Sequence, residues 1–298
     1  MNRSAPSAQL GRFAPSPTGD LHFGSLVAAA GSWLQARSRQ ARWIIRIEDI
    51  DPPREVAGAA ERQLATLALF GLASDEPVIR QSRLRQQHDI ALASLLQAGL
   101  AYFCGCTRKQ LPADGVYPGT CRQGIPDGRK PRSIRFRLPD RTVEFDDGIQ
   151  GRQCQQPARD SGDFIIRRGD GLIAYQLAVV VDDAIAGVTE VVRGADLLDS
   201  TGRQILLHQA LGWTPPSYCH LPVIVDENGR KLSKSDADDP VAKYPPRQAL
   251  RLALRALGHE PPSSRQALDA QWRWALEHWQ LQQVPPGPVA IGMQGAAR

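Results

Sequence analysis

Apolar residues change their spacing several times along the chain, and each change marks an element. Leu10–Ala14 is short and partly apolar and reads as a strand. A turn cluster follows, Pro15-Ser16-Pro17-Thr18-Gly19-Asp20. From there Leu26, Ala29, Ala30, Trp33 and Leu34 recur at helical spacing, with Ser25 placed as the cap. Trp43–Ile47 reads as a second strand that ends in Glu48 and Asp49. Helical stretches are expected around Arg54–Phe70 and Leu84–Leu100. Strand and helix in alternation predict an α/β fold with a parallel, doubly wound sheet.

The pattern breaks between about Tyr102 and Gly162, where Gly, Pro and Arg accumulate around short β-like pieces such as Ser133–Leu138. This stretch reads as an insertion. Apolar strands are expected to resume at Phe164–Ile166 and Leu177–Val181. Beyond Ser235 lies a Pro-rich passage, then helix-like sequence at Ala249–Leu257 and Trp272–Trp279, whose tryptophans, Trp274 among them, read as packing residues. The expected organisation is a core first half at 1–101, an inserted subdomain at 102–162, a core second half at 163–225 and a loop with a short helical region at 226–298.

Composition narrows the class without deciding it. The 298 residues are 42% hydrophobic and 22% charged, which excludes a collagen, a disordered tail and a disulfide miniprotein. A net charge of +5 suits a polyanionic partner but maps no footprint. The N-terminus has no apolar core of a secretory signal and no run approaches ~18 apolar residues, so a soluble cytoplasmic protein is expected. Three of the five cysteines crowd into Cys104–Cys121. In such a compartment that points to metal rather than disulfides. Zinc takes four ligands, and no His lies between His88 and His208, so Tyr117 or a more distant cysteine such as Cys154 is left to complete the set.

One motif invites a nucleotide reading that its context refuses. Gly169, Gly171 and Ala174, with Glu190 beyond, match a dinucleotide fingerprint, which should open a helix. Here it opens Tyr175–Val181, a β-branched run that reads as a strand, so Asp170-Gly171 is expected to be a hairpin turn.

Two other motifs carry the chemistry. Leu21-His22-Phe23-Gly24-Ser25 stands at the turn into the first helix, and Lys231-Leu232-Ser233-Lys234-Ser235 lies in a polar loop far downstream. Gly24 permits close backbone approach. The helix behind it offers free N–H groups and a positive dipole end, which suit phosphate. His22, Lys231 and Lys234 are candidate catalytic residues, supplying donors and charge to a departing pyrophosphate. His22, Gly24, Ser25, Lys231, Ser233 and Lys234 form the candidate ATP site. First turn and late loop together resemble the two signatures of class I aminoacyl-tRNA synthetases. That resemblance implies a Rossmann-type core, with ATP as substrate alongside Mg²⁺.

Longer phrases resemble the glutamyl-tRNA synthetase family: Gly11–Gly19, Arg46–Asp51 and Val192–Leu198. By that resemblance Arg12, Phe13, Ala14, Pro15, Ser16, Glu48, Tyr175 and Arg193 line an L-glutamate pocket. The chemistry fits, because Arg12 and Arg193 can fork onto carboxylates, Glu48 can pair with the α-ammonium and Tyr175 can donate a hydrogen bond. The cysteine pattern is similar to the zinc site of the glutamyl-Q tRNA(Asp) synthetase subfamily, which implies Cys104, Cys106, Tyr117 and Cys121 as ligands of one structural Zn²⁺. The residues after Ser235 are too few for the anticodon-binding region of a full glutamyl-tRNA synthetase, since a domain takes ~100–150 residues. The same subfamily resemblance implies tRNA-independent activation of glutamate, transfer to the queuosine base of tRNA(Asp), and no membrane partner. A monomer is expected. The alternatives are a shortened synthetase that charges the acceptor end of tRNA(Glu), and an inactive zinc-containing RNA-binding module.

Overall fold

The computed structural model describes residues 9–232, 239–261 and 266–291. In chain order the elements are β1 (Leu10–Phe13), α1 (Phe23–Ser38), β2 (Arg42–Ile47), α2 (Ala59–Leu69), β3 (Ile79–Arg80), α3 (Arg85–Gln97), β4 (Ala101–Cys104), β5 (Ser133–Phe136), β6 (Val143–Asp147) and β7 (Gly151–Gln155). They continue with α4 (Pro157–Asp160), β8 (Ile165–Arg167), α5 (Tyr175–Ala186), β9 (Glu190–Gly194), α6 (Thr201–Ala210), β10 (Ser217–Leu221), β11 (Ile224–Val225), α7 (Pro246–Ala256), α8 (Leu268–His278) and β12 (Val289–Ala290).

The expected parallel sheet is present in two abutting parts. One has the order β1-β2-β3, all parallel, and the other the order β7-β6-β10-β9. In the second, β10 runs parallel to β9 and β6, while β6 and β7 form an antiparallel hairpin. Thr189 N–H donates to Leu10 O at 3.0 Å and Leu10 N–H to Thr189 Oγ1 at 2.9 Å, which ties β1 to the β9 edge. Chain order therefore reverses between β1 and β9, the kind of switch point at which open α/β sheets bind ligands. Helices cover both faces. Trp43, Ile45 and Ile47 pack with α1, α7 and α8, while Ile44 packs on the opposite face with α3, α5 and α6. A separate antiparallel sheet, β4-β5-β8, carries the cysteine-bearing segment.

Period two along each strand decides where the charges go. Arg12 shares a face with Leu10, Arg46 with Ile44, Arg193 with Val191 and His220 with Tyr218, so all four side chains point toward α5 and α6.

Three expectations are corrected. Leu177–Val181 is not a strand but the centre of α5. β-branching lowers helix propensity only slightly, and here burial of every residue from Leu177 to Asp183 between sheet and neighbouring helices overrides it. Gly187, at φ 74°, closes that helix in the left-handed conformation. Asp170-Gly171 does form the expected turn, with Arg168 N–H bonded to Leu172 O at 2.8 Å, although a helix follows it. Ser25 does not cap α1, which starts two residues earlier with His22 at the N-cap. The stretch expected to be helical from Arg54 is a turn at Pro52–Arg54, and α2 begins only at Ala59.

Candidate active site

A cleft of about 410 Å³ opens at the carboxyl ends of β1, β9 and β10. It gathers residues from distant parts of the chain: Arg12, Phe13, Ala14, Pro15 and Ser16 from β1 and its turn, Glu48 after β2, Tyr175 at the start of α5, and Arg193 from β9. His22, Gly24 and Ser25 line it from the start of α1, and Lys231 from the far rim. Every expected pocket residue that lies among the described residues is in this one cleft. Ser233 and Lys234 lie outside the described residues.

Local chemistry explains the placement. The turn after β1 is pinned to β2 by Glu48 N–H donating to Pro15 O at 3.0 Å. Gln63 of α2 donates to Ser16 O and Gly19 O at 3.0 and 2.6 Å, holding the same turn from the other side. Lys231 is brought in by a tight turn in which Asp226 accepts from the backbone of Asn228 and Arg230, while Leu232 N–H returns to Ile224 O. Its ammonium reaches Asp196 at 2.7 Å. Both partners are near half exposed, so this pair contributes ~0–1 kcal/mol and can yield to a polyphosphate.

The floor of the cleft is a buried ionic lattice. Arg12 meets Asp183 through Nε to Oδ1 at 3.2 Å and Nη2 to Oδ2 at 3.4 Å. Arg46 donates to the same Asp183 at 2.6 Å and to Glu48 at 3.2 Å, and lies 3.8 Å from Asp182. Asp182 accepts from Gln81 at 2.6 Å and lies 2.6 Å from His88 Nε2. Burial opposes ionisation of Asp183, but Arg12 and Arg46 outweigh it and hold the carboxyl down at about 2. Burial pushes Glu48 the other way, above the usual carboxylate range, despite Arg46 and Arg12. Burial also raises the Tyr175 phenol. The pocket thus presents a phenol that stays protonated and a Glu48 carboxyl whose ionised form burial disfavours.

Arg193 is held differently. Its Nε donates to His220 Nε2 at 3.0 Å, Nη1 to Gln204 at 2.8 Å, and Nη2 to Leu197 O at 3.3 Å and Thr201 Oγ1 at 3.0 Å. All four acceptors are neutral. Arg46, Asp183, Asp182, His220 and Gln204 have no role in the sequence reading. For Arg46 a signal was nonetheless present, because it opens the Arg46–Asp51 phrase quoted there.

The cysteine cluster closes a second site. The sulfurs of Cys104, Cys106 and Cys121 lie within 4.8 Å of one another, with Cys106 to Cys121 at 3.7 Å. Tyr117 Oη stands 3.4 Å from Cys104 Sγ and 3.9 Å from Cys106 Sγ. With Zn–S bonds of ~2.3 Å a tetrahedron sets sulfurs about 3.8 Å apart, so three thiolates and one oxygen here match the size of a zinc site. Gly105 N–H and Arg135 Nε donate to Cys121 and Cys104 at 3.4 and 3.3 Å, and Arg135 stacks on the Tyr117 ring. Such donors support thiolate charge. Burial pushes the Cys104 thiol up, but Tyr117 and Arg135 bring it down to about 7. Cys154 is exposed on β7 and takes no part in the cluster.

Comparison with known proteins identifies the arrangement. A family model described as the catalytic domain of class I tRNA synthetases (E and Q) matches residues 10–114 and 121–272. The glutamyl-Q tRNA(Asp) synthetase of Chromobacterium violaceum is 51% identical over 94% of this chain and 97% of its own length. The chain belongs to the glutamyl-Q tRNA(Asp) synthetase family. The family member of Aromatoleum aromaticum is 52% identical over 93% of this chain and 90% of its own. The crystal structure of glutamate-tRNA synthetase from Elizabethkingia anophelis superposes with a TM-score of 0.81 at 26% identity, over 97% of this chain and 69% of that one. The family fold is the class I catalytic fold expected from the two signatures. No helix among the described residues is long and apolar enough to cross a membrane.

Proposed function

We propose that this chain activates L-glutamate with ATP, without tRNA, and transfers it to the queuosine base of tRNA(Asp). The observation that carries the reading is the single cleft in which Arg12, Glu48, Tyr175 and Arg193 face His22, Gly24 and Lys231. A glutamate ligand brings two carboxylates and one ammonium, and the cleft offers two guanidiniums and the Glu48 carboxylate, while its other carboxylate, Asp196, is paired with Lys231. In the first step a glutamate α-carboxylate oxygen bonds to the α-phosphorus of ATP, and the bond to the β-phosphate breaks. Pyrophosphate leaves with the Mg²⁺ that ATP brought. His22, Lys231 and Lys234 stabilise that departing charge, a positional and electrostatic role that needs no general base. In the second step a hydroxyl oxygen of the queuosine cyclopentenediol bonds to the glutamyl carbonyl carbon, the bond from that carbon to the AMP phosphate oxygen breaks, and AMP leaves as the hydroxyl proton passes to solvent.

Cys104, Cys106, Cys121 and Tyr117 hold one Zn²⁺ whose role is structural, cross-linking a segment too small to build a core of its own. The whole scheme is consistent with a cytoplasmic monomer.

Lys234→Ala tests the activation step. Glutamate-dependent ATP–pyrophosphate exchange is expected to vanish, and unchanged exchange would remove the late loop from the mechanism.

A further inference from the structure

Among the described residues, Arg193 is a buried cation whose acceptors are all neutral, unlike Arg12, which already faces Asp183. Its nearest route to a carboxylate passes through His220. A guanidinium Nε can only donate, so His220 Nε2, 3.0 Å away, must accept. The His220 proton is then on Nδ1, which lies 2.5 Å from Asp147 Oδ2. Asp147 is itself fixed at the end of β6. Its Oδ1 accepts from the backbone N–H groups of Ile149, Gln150 and His220 at 3.0, 2.9 and 3.0 Å.

We infer that Asp147 and His220 are positioning residues for substrate recognition: Asp147 locks His220 as the neutral Nδ1–H tautomer, and His220 in turn aims Arg193 at the cleft without cancelling its charge. The inference deepens the glutamate reading and rests on it. A direct carboxylate partner would neutralise Arg193 and weaken its preference for a carboxylate over a carboxamide. A neutral imidazole orients the guanidinium equally well and leaves the charge for the ligand.

The surroundings agree. Tyr218 stacks on His220 with ring centroids 6.1 Å apart, and Thr201 Oγ1 lies 3.3 Å from Nε2. Asp147 and Arg193 are the charged groups bonded to the ring, and Arg12 adds a more distant positive charge. Burial and Arg193 together keep His220 from protonating, while Asp147 resists their effect only in part.

Asp147→Asn is the decisive variant. It keeps the shape, but its amide N–H₂ turned to His220 forces the imidazole proton onto Nε2, where it faces the Arg193 Nε–H donor to donor. The expected result is a rise of about tenfold or more in the glutamate KM of pyrophosphate exchange, on the scale of one charged hydrogen bond. The ATP KM is expected to stay near wild type, and the thermal midpoint to fall only modestly, as the loss of one buried charged hydrogen bond requires. His220→Gln, which retains an acceptor near the Nε2 position, is expected to recover part of the glutamate affinity lost in His220→Ala. An unchanged glutamate KM in Asp147→Asn, or equal losses for glutamate and ATP with a collapsed thermal midpoint, would overturn the assignment. A second readout does not depend on activity or on any variant folding. In ¹⁵N-histidine-labelled wild-type protein the His220 proton is expected on Nδ1 at neutral pH. A proton on Nε2 would also overturn it. If the labelled protein shows Nδ1–H but no glutamate-dependent exchange occurs, the glutamate reading fails while the tautomer lock stands.

Discussion

Arg12 of β1 and Asp183 of α5 meet in a two-point contact, Nε to Oδ1 at 3.2 Å and Nη2 to Oδ2 at 3.4 Å, with both side chains almost fully buried. One edge of the Arg12 guanidinium is thereby committed to the protein, and the Nη1 side is left for the cleft. The same carboxylate also holds Arg46 at 2.6 Å. One aspartate is therefore shared by two cations beneath the cleft, with Arg46 reaching Glu48 and Asp182 as well.

Asp183→Asn leaves Arg12 and Arg46 buried beside a neutral amide. Breaking a buried pair on one side costs ~3–5 kcal/mol, so a large fall in the urea midpoint is expected along with a raised glutamate KM. The pH dependence has a definite sign. The folded carboxyl titrates at about 2, below its unfolded value near ~3.9, so its contribution is present above the unfolded value and is lost as pH falls toward 2. Wild type is expected to lose stability more steeply than Asp183→Asn between about pH 4 and pH 2. Parallel acid limbs in the two proteins would contradict this.

Gly24→Ala separates stability from function. The residue is helical, so alanine is expected to favour the fold by up to ~1 kcal/mol. A Cβ there would stand 3.0 Å from the His22 ring and displace it from the cleft. Equal or higher thermal stability with a raised ATP KM is the expected combination, measured by thermal melts and exchange kinetics.

Much of the site was legible because turn chemistry and motif residues are local. The turn from Pro15 to Asp20, the His22-Phe23-Gly24-Ser25 phrase and the cysteine spacing each announce a function within a few positions. The α5 helix was not legible in this way. Its Val179-Val180-Val181 run has the local preference of a strand, and only burial on every side makes it a helix. Asp183 and Asp147 were hidden for a different reason. Each acts on a partner far away in sequence, and their carboxylates are indistinguishable from surface charges until β-strand parity and helix packing bring them to Arg12 and His220. Nothing local marks Arg135 for burial either, yet it is buried.

Lys231→Ala is expected to leave the thermal midpoint nearly unchanged, since the exposed pair with Asp196 contributes little to stability. Exchange is expected to fall at least about tenfold, the scale of one lost charge-assisted contact to the leaving group. A large loss of stability with normal exchange would make Lys231 a structural residue instead.

Metal analysis tests the cysteine site. About one zinc per chain is expected, and its removal by a chelator should lower the thermal midpoint while glutamate activation per folded molecule persists. Cys106→Ala is expected to abolish retention. Tyr117→Phe keeps three thiolates and is expected to hold metal with reduced affinity. Equal affinity in Tyr117→Phe and wild type would remove the phenol from the ligand set.

The central claim is that this cleft activates glutamate for a tRNA base and not for a tRNA end. Its most direct test is transfer of labelled glutamate from ATP-activated enzyme to tRNA(Asp) prepared with and without queuosine, with tRNA(Glu) alongside. Label is expected only on queuosine-bearing tRNA(Asp). Label on tRNA(Glu), or equal label on tRNA(Asp) lacking queuosine, would contradict it.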